Sequence, residues 1–235
     1  MEDLEGTYWW YLARKEIVCD TVKRSVAKNS KLLDFGSGSG GIAKTLAADG
    51  YKVVAADISS VALAACRKAG LDTLDLNTSW PAAQSVDCIL ACDVLEHVQG
   101  DVELLQKLRV ALRPRGLLIA TVPAYDLLWS GEDYISNHVR RYTRPLLERH
   151  VRQAGFSIER SSYFNTILLP LITAGLFYKR LLRPRDMYVS DIEPLPQWQN
   201  KILYTIFSAE RFILPRCDFP LGASLLVVAR NPNRE

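Results

Sequence analysis

Leu32-Leu33-Asp34-Phe35-Gly36-Ser37-Gly38-Ser39-Gly40-Gly41 is the stretch whose reading decides the fold. A short apolar run, Lys31–Phe35, passes directly into a glycine cluster, and a helix-like segment, Ile42–Ala48, follows. Strand, glycine turn and helix in that order make the ligand cradle of an open α/β sheet. Glycine permits the tight turn and lets the main chain approach a ligand where a Cβ would clash. Gly36, Gly38 and Gly41 also satisfy the spacing of the dinucleotide fingerprint, so the glycines alone do not choose between ligands. The acid ahead of them does. Asp34 would repel a pyrophosphate and would favour a ligand carrying a sulfonium and an ammonium.

Outward from the turn, Tyr51–Ala56 reads as a buried strand ending on Asp57, an acid placed to accept hydrogen bonds from both hydroxyls of a ribose. Leu71–Leu76 is a short strand closing on Asp75-Leu76, where contacts to an adenine edge would fall. Val86–Cys92 runs into Asp93-Val94-Leu95-Glu96-His97. Ligands of open α/β sheets bind outside the carboxyl ends of the strands. A glycine turn and acids at successive strand ends therefore mark one edge as the ligand edge.

These motifs, together with Leu112-Arg113-Pro114-Arg115-Gly116, resemble in order those of the class I S-adenosylmethionine (SAM)-dependent methyltransferases. The resemblance covers roughly residues 30–160 and returns at about 222–230. It implies a Rossmann-like, doubly wound sheet of seven mainly parallel strands with an antiparallel last strand. It also implies SAM as cofactor and S-adenosylhomocysteine as product. The implied cofactor contacts are Arg14, Asp34, Gly36, Ser37, Gly38, Asp57, Ile58, Asp75, Leu76 and Cys92. The family's usual Leu-Pro after the third acid is replaced here by a longer loop, Asn77-Thr78-Ser79-Trp80-Pro81.

The bulk numbers set bounds. At 235 residues, 49% hydrophobic and 23% charged, the chain reads as one globular domain of ordinary size. A net charge of +3 without a long basic run gives no support to nucleic-acid binding. The acidic start, Met1-Glu2-Asp3-Leu4-Glu5, lacks the basic-then-apolar pattern of a signal peptide. Cys19, Cys66, Cys88, Cys92 and Cys217 show no metal-type pairing and read as buried thiols of a reduced, cytoplasmic protein.

Along the chain, residues 1–28 carry a lead helix opening on Tyr8-Trp9-Trp10-Tyr11. It either packs on the sheet or covers the cofactor, with Arg14 pairing the methionine carboxylate. Strands at about 31–35, 51–56, 71–75, 86–92 and 116–122 alternate with helices in the rhythm of a parallel sheet. The cofactor core so defined spans residues 30–164. Ala124–Thr143 reads as a functional loop. Pro145–Ala154 follows as a helix and Phe156–Tyr163 as the sixth strand. Residues 165–215 form an insertion before the last strand at 221–230. Its apolar opening is shorter than the roughly 20 residues a bilayer span needs. It reads as a helical cap or homodimer contact, or else as a greasy tunnel or peripheral membrane surface through 165–185, helped by Lys179, Arg180, Arg183 and Arg185.

Methyl transfer from a sulfonium needs alignment and exclusion of water, plus a base if the acceptor is a hydroxyl or a protonated amine. The candidates are His138, in the loop with Arg140, Arg141 and Tyr142, and His97, after the fourth strand. His150 reads as a surface residue. Arg140 and Arg141 must diverge, and one of them is expected to pair Glu132 or Asp133. No cluster of His and carboxylates has ligand spacing along the sequence, so no metal is expected. The acceptor reads as a small molecule, apolar or amphiphilic, with the methylated atom open among O, N and C. A non-catalytic SAM-binding subunit and a nicotinamide-dependent oxidoreductase are the rival readings. The second is opposed by Asp34 and by the lack of a Tyr-x-x-x-Lys set downstream of the glycine turn.

Overall fold

A computed structural model describes residues 6–182, 188–190, 192 and 195–232. Seven strands form one sheet in the order β3-β2-β1-β4-β5-β7-β6: β1 Lys31–Phe35, β2 Lys52–Asp57, β3 Asp72–Asp75, β4 Val86–Cys92, β5 Leu112–Pro123, β6 Ser157–Phe164 and β7 Ser224–Arg230. The pairings from β3 to β5 are parallel, and β7 runs antiparallel to both β5 and β6. Chain order reverses between β1 and β4, and such a switch point is where open α/β sheets hold ligands.

Helices cover both faces: α1 Trp9–Ser25, α2 Gly41–Ala48, α3 Ser60–Lys68, α4 Asp101–Ala111, α5 Gly131–Ile135, α6 Arg144–Gln153, α7 Leu169–Leu182 and α8 Gln197–Ile213. Two apolar layers result. Leu32, Leu90 and Ile119 point into one with α1 and α2, and Leu33, Ile89 and Leu118 into the other with α4 and α6. Alternate residues of a strand face opposite sides, so a sheet buried on both faces needs the unbroken apolar runs that β1 and β4 carry.

The insertion is held through α8. Trp9 packs edge to face on Phe207, which in turn stacks on Phe164 of β6. Glu16 on α1 receives both Tyr204 and Arg211 from α8. Buried Glu210 accepts the main-chain N–H groups of Thr166 and Ile167 at 2.7 and 2.8 Å, fixing where the insertion leaves β6. Helix α7 buries Leu176 but exposes Leu171, Phe177, Tyr178, Leu181 and Leu182. Of the basic cluster expected after it, Arg183 and Arg185 lie outside the described residues, as does the acidic Met1–Glu5.

Two expectations need correction. Ala124–Thr143 is not loop throughout: it contains the 3-10 turn Asp126–Leu128 and α5, and a bridge between Ala124 and Tyr142 closes it at the sheet edge. His150 is not a surface residue. Its Nδ1 lies 2.7 Å from Oδ2 of Asp101, drawn inward because that buried carboxylate needs donors.

Candidate functional site

The glycine turn follows β1 at the switch point. Gly36, Gly38 and Gly40 all adopt positive φ, at 74°, 53° and 81°, a region that L side chains avoid. A Cβ on Gly36 would lie 2.5 Å from Cγ2 of Val94, so this glycine lets the turn seat against the segment after β4. Gly40 is equally constrained, with Sγ of Cys66 2.8 Å from the place of its Cβ, whereas Gly41 has open space. The third conformationally constrained glycine is therefore Gly40, one residue before the fingerprint position. Spacing alone hid it because adjacent glycines fit the pattern almost equally well.

The acids stand along the same edge. Asp34 is 2% exposed on β1. Asp57, at the end of β2, accepts the Gly38 N–H at 2.9 Å through Oδ2 and the Ser59 N–H at 2.8 Å through Oδ1. The Gly36 and Ser37 N–H groups both bond to the Ala56 carbonyl, which ties the turn to β2. Asp75 is in register with Asp57, and its Oδ1 caps its own turn through the N–H and amide of Asn77, both at 2.9 Å. Ile58 is exposed, Leu76 is half-buried, and the Leu76 N–H bonds to the Asp57 carbonyl. Cys92 is buried at the end of β4, where burial pushes its thiol up to about 12.

Arg14 reaches this edge from α1. Its guanidinium pairs with Asp93, which also accepts a hydrogen bond from Thr121 at 3.1 Å. The guanidinium carbon sits 4.8 Å from the centre of the Trp10 ring. The aromatic start of α1 thus cradles the arginine as well as packing on the sheet.

A second group of side chains gathers beside the first. The 3-10 turn Leu95–His97 follows β4, and the Val139 N–H donates to the Glu96 carbonyl at 2.8 Å. The loop after β5 is thereby docked on the segment after β4. His97 and His138 meet edge to face with ring centres 4.6 Å apart. Glu96, His97 and His138 each offer a ligand atom within 4.8 Å of the others. The sequence reading missed this cluster because His138 comes from a different loop, and only the fold brings it to Glu96-His97.

His138 is held from behind. Its Nδ1 lies 2.7 Å from Oδ1 of Asp133, a fully buried acid clasped by Arg141 with two contacts of 2.8 Å. Burial opposes ionisation of Asp133, but the hydrogen bonds from His138 and Arg141 outweigh it and hold the carboxyl down at about 2. Arg140 turns the other way, to the Gln99 carbonyl at 2.6 Å and to Asp101 at 3.2 Å. The two arginines diverge, and Arg141 takes Asp133. His97 is exposed. Partial desolvation of the ring and the neighbouring His138 lower its pKa from the ordinary value.

Tyr142 requires a correction as a catalytic candidate. It is fully buried, and its hydroxyl donates to Asp101 at 2.6 Å, so it does not present itself to an acceptor. The insertion does reach this loop. Arg180 donates to the Trp129 carbonyl at 2.8 Å, Ser190 donates to Glu132 at 2.7 Å, and Tyr188 packs on Tyr134.

Residues 9–161 match the methyltransferase domain family. The chain belongs to that family. A ubiquinone biosynthesis O-methyltransferase of Actinobacillus pleuropneumoniae serotype 7 is 29% identical over 124 residues, covering 45% of this chain and 53% of the relative. The chain spans about half the length of the curated relatives it matches. Among solved structures, a SAM-dependent methyltransferase from Mesorhizobium loti superposes with a TM-score of 0.58 at 18% identity, over 89% of this chain and 95% of that one. Phosphoethanolamine N-methyltransferase 2 of Haemonchus contortus, in complex with SAM, gives 0.59 at 19% identity, over 94% of this chain and 53% of that one. The superpositions show the class I fold, and SAM is the methyl donor of the methyltransferase family to which the chain belongs. The negative charges of Asp34 and Asp57 beside the turn disfavour a pyrophosphate there. Among the described residues no helix is long and apolar enough to cross a membrane.

Proposed function

We propose that this protein methylates a hydroxyl of a small apolar or amphiphilic molecule. The observation that carries the proposal is the pairing of His97 with His138 beside the cofactor edge, with His138 oriented by Asp133. Bound SAM supplies a methyl group already activated on sulfonium, so the protein's remaining work is to align the acceptor, exclude water and dispose of one proton. The part of this chain's residues in that transfer would be to take up the proton the acceptor hydroxyl loses as it becomes a methyl ether, a role for the histidine cluster.

In this reading Asp57 receives the ribose hydroxyls, and Gly36, Ser37 and Gly38 present main chain to the cofactor. Arg14, steadied by Asp93, meets the methionine carboxylate, and Asp34 lies toward the cationic end. Ile58, Asp75 and Leu76 flank the adenine, and Cys92 lines the floor. The names of the curated relatives, O-methyltransferases of ubiquinone biosynthesis, favour an oxygen acceptor. The exposed apolar face of α7, joined to the His138 loop through Arg180, favours an apolar one.

The test is transfer of labelled methyl from SAM to a panel of phenols, catechols and long-chain alcohols, with amines as the comparison. Incorporation into hydroxyl acceptors, lost in His138→Ala, is the expected result. Incorporation only into amines would reject the oxygen assignment.

A further inference from the structure

We infer that Glu96, His97 and His138 bind one divalent transition-metal ion, of the zinc, cobalt or iron(II) class. Glu96 is fully buried, and apart from a weak contact with its own main-chain N–H neither carboxylate oxygen has a hydrogen-bond partner. A buried carboxylate without donors is costly, and folded proteins avoid one unless a cation or a proton compensates it. Arg14 and Arg141, the nearest guanidiniums, are committed to Asp93 and Asp133. What stands within 4.8 Å of the Glu96 carboxylate is a nitrogen of each of two histidines.

Two imidazoles and one carboxylate are the donor set of catalytic zinc and of mononuclear iron(II) sites, which keep positions open for a substrate oxygen. The outer contacts have the matching form. A metal-binding histidine holds its other nitrogen on a carboxylate or a carbonyl, which fixes the tautomer and turns the free nitrogen to the ion. His138 has Asp133 in that place, at 2.7 Å, and His97 has the Ser136 carbonyl. The Asp133 carboxylate is itself fixed by Arg141 and by the Ser130 N–H at 2.7 Å. Such a chain of supports holds the His138 ring in one orientation.

The consequence refines the proposed function and rests on it: the histidines would hold the ion, which would replace them as the group that handles the acceptor proton. The ion would take the acceptor hydroxyl as a ligand and lower its pKa, the proton leaving to solvent. Acceptors with two adjacent oxygens would then be preferred, because they can chelate.

The experiment uses the whole chain, freed of metal with a chelator and titrated with cobalt(II) by absorbance and with zinc by calorimetry. One equivalent of cobalt is expected, with visible bands of a nitrogen–oxygen site and no thiolate charge-transfer band. Glu96→Gln and His138→Ala should each weaken binding at least tenfold, and Asp133→Asn by about 10–100-fold. Asp57→Ala should bind metal as the wild type does while losing SAM affinity. Absence of saturable cobalt binding to the wild-type chain would overturn the inference, as would thiolate bands, and neither result depends on how a variant folds. If metal binding fails while His138→Ala still abolishes methyl transfer, the ion is rejected and the histidines act as bases.

Discussion

His97 and His138 meet edge to face, with 4.6 Å between ring centres and 80° between ring planes, one following β4 and the other carried by the loop after β5. In the proposed arrangement the contact joins the cofactor side of the site to the acceptor side. It is maintained by two main-chain bonds, Val139 N–H to the Glu96 carbonyl and His138 N–H to the Asp133 carbonyl.

His138→Ala should therefore reduce methyl transfer by about 10²–10⁴-fold, the usual loss when a positioned proton-handling group is removed. SAM affinity should stay near wild type, because the ring does not touch the glycine turn in the proposed arrangement. Single-turnover assays and calorimetry on the same sample separate the two effects. A variant with unchanged turnover would remove the histidine pair from the chemistry.

Asp133→Ala should destabilise the fold more than any single surface change. It leaves the Arg141 guanidinium, 12% exposed, without its carboxylate. Removing one partner of a buried ion pair costs about 3–5 kcal/mol. Urea denaturation would measure it, and a loss below about 1 kcal/mol would show that Arg141 finds another partner.

Tyr142→Phe should behave as a stability variant and not as a catalytic one. The lost hydroxyl leaves Asp101, which also receives His150 and Arg140, short of one donor. A cost of about 1–3 kcal/mol is expected, with kcat close to wild type. A large fall in kcat in a folded Tyr142→Phe protein would return the residue to the list of catalytic groups.

The cysteines should differ sharply in reactivity. Burial pushes the Cys19 and Cys92 thiols up to about 12 and raises Cys88 as well, so at pH 8 they stay protonated and unreactive. Cys217 is exposed. Iodoacetamide at pH 8, read by peptide mass spectrometry, should label Cys217 first. Early labelling of Cys92 would mean that the end of β4 opens readily.

The sheet and its ligand edge were legible because they rest on local signals. The unbroken apolar runs of β1 and β4, the glycine turn and the acids at Asp34, Asp57 and Asp75 each lie within a few residues of the element they define. The Glu96–His97–His138 cluster was not legible as a unit, since its members come from separate loops joined by the Val139–Glu96 bond. The inward turn of His150 and the burial of Tyr142 escaped for the same reason: both answer to Asp101, which arrives from another helix. The choice of Gly40 over Gly41 needed the position of Cys66, a side chain on α3.

Calorimetric titration of SAM into Asp57→Ala tests whether the glycine turn and Asp57 hold SAM. Removing the carboxylate leaves two ribose hydroxyls without an acceptor, a loss of about 1.5–3 kcal/mol. Affinity should fall at least about tenfold while circular dichroism shows an intact fold. A folded Asp57→Ala protein that binds SAM as tightly as wild type would contradict the account.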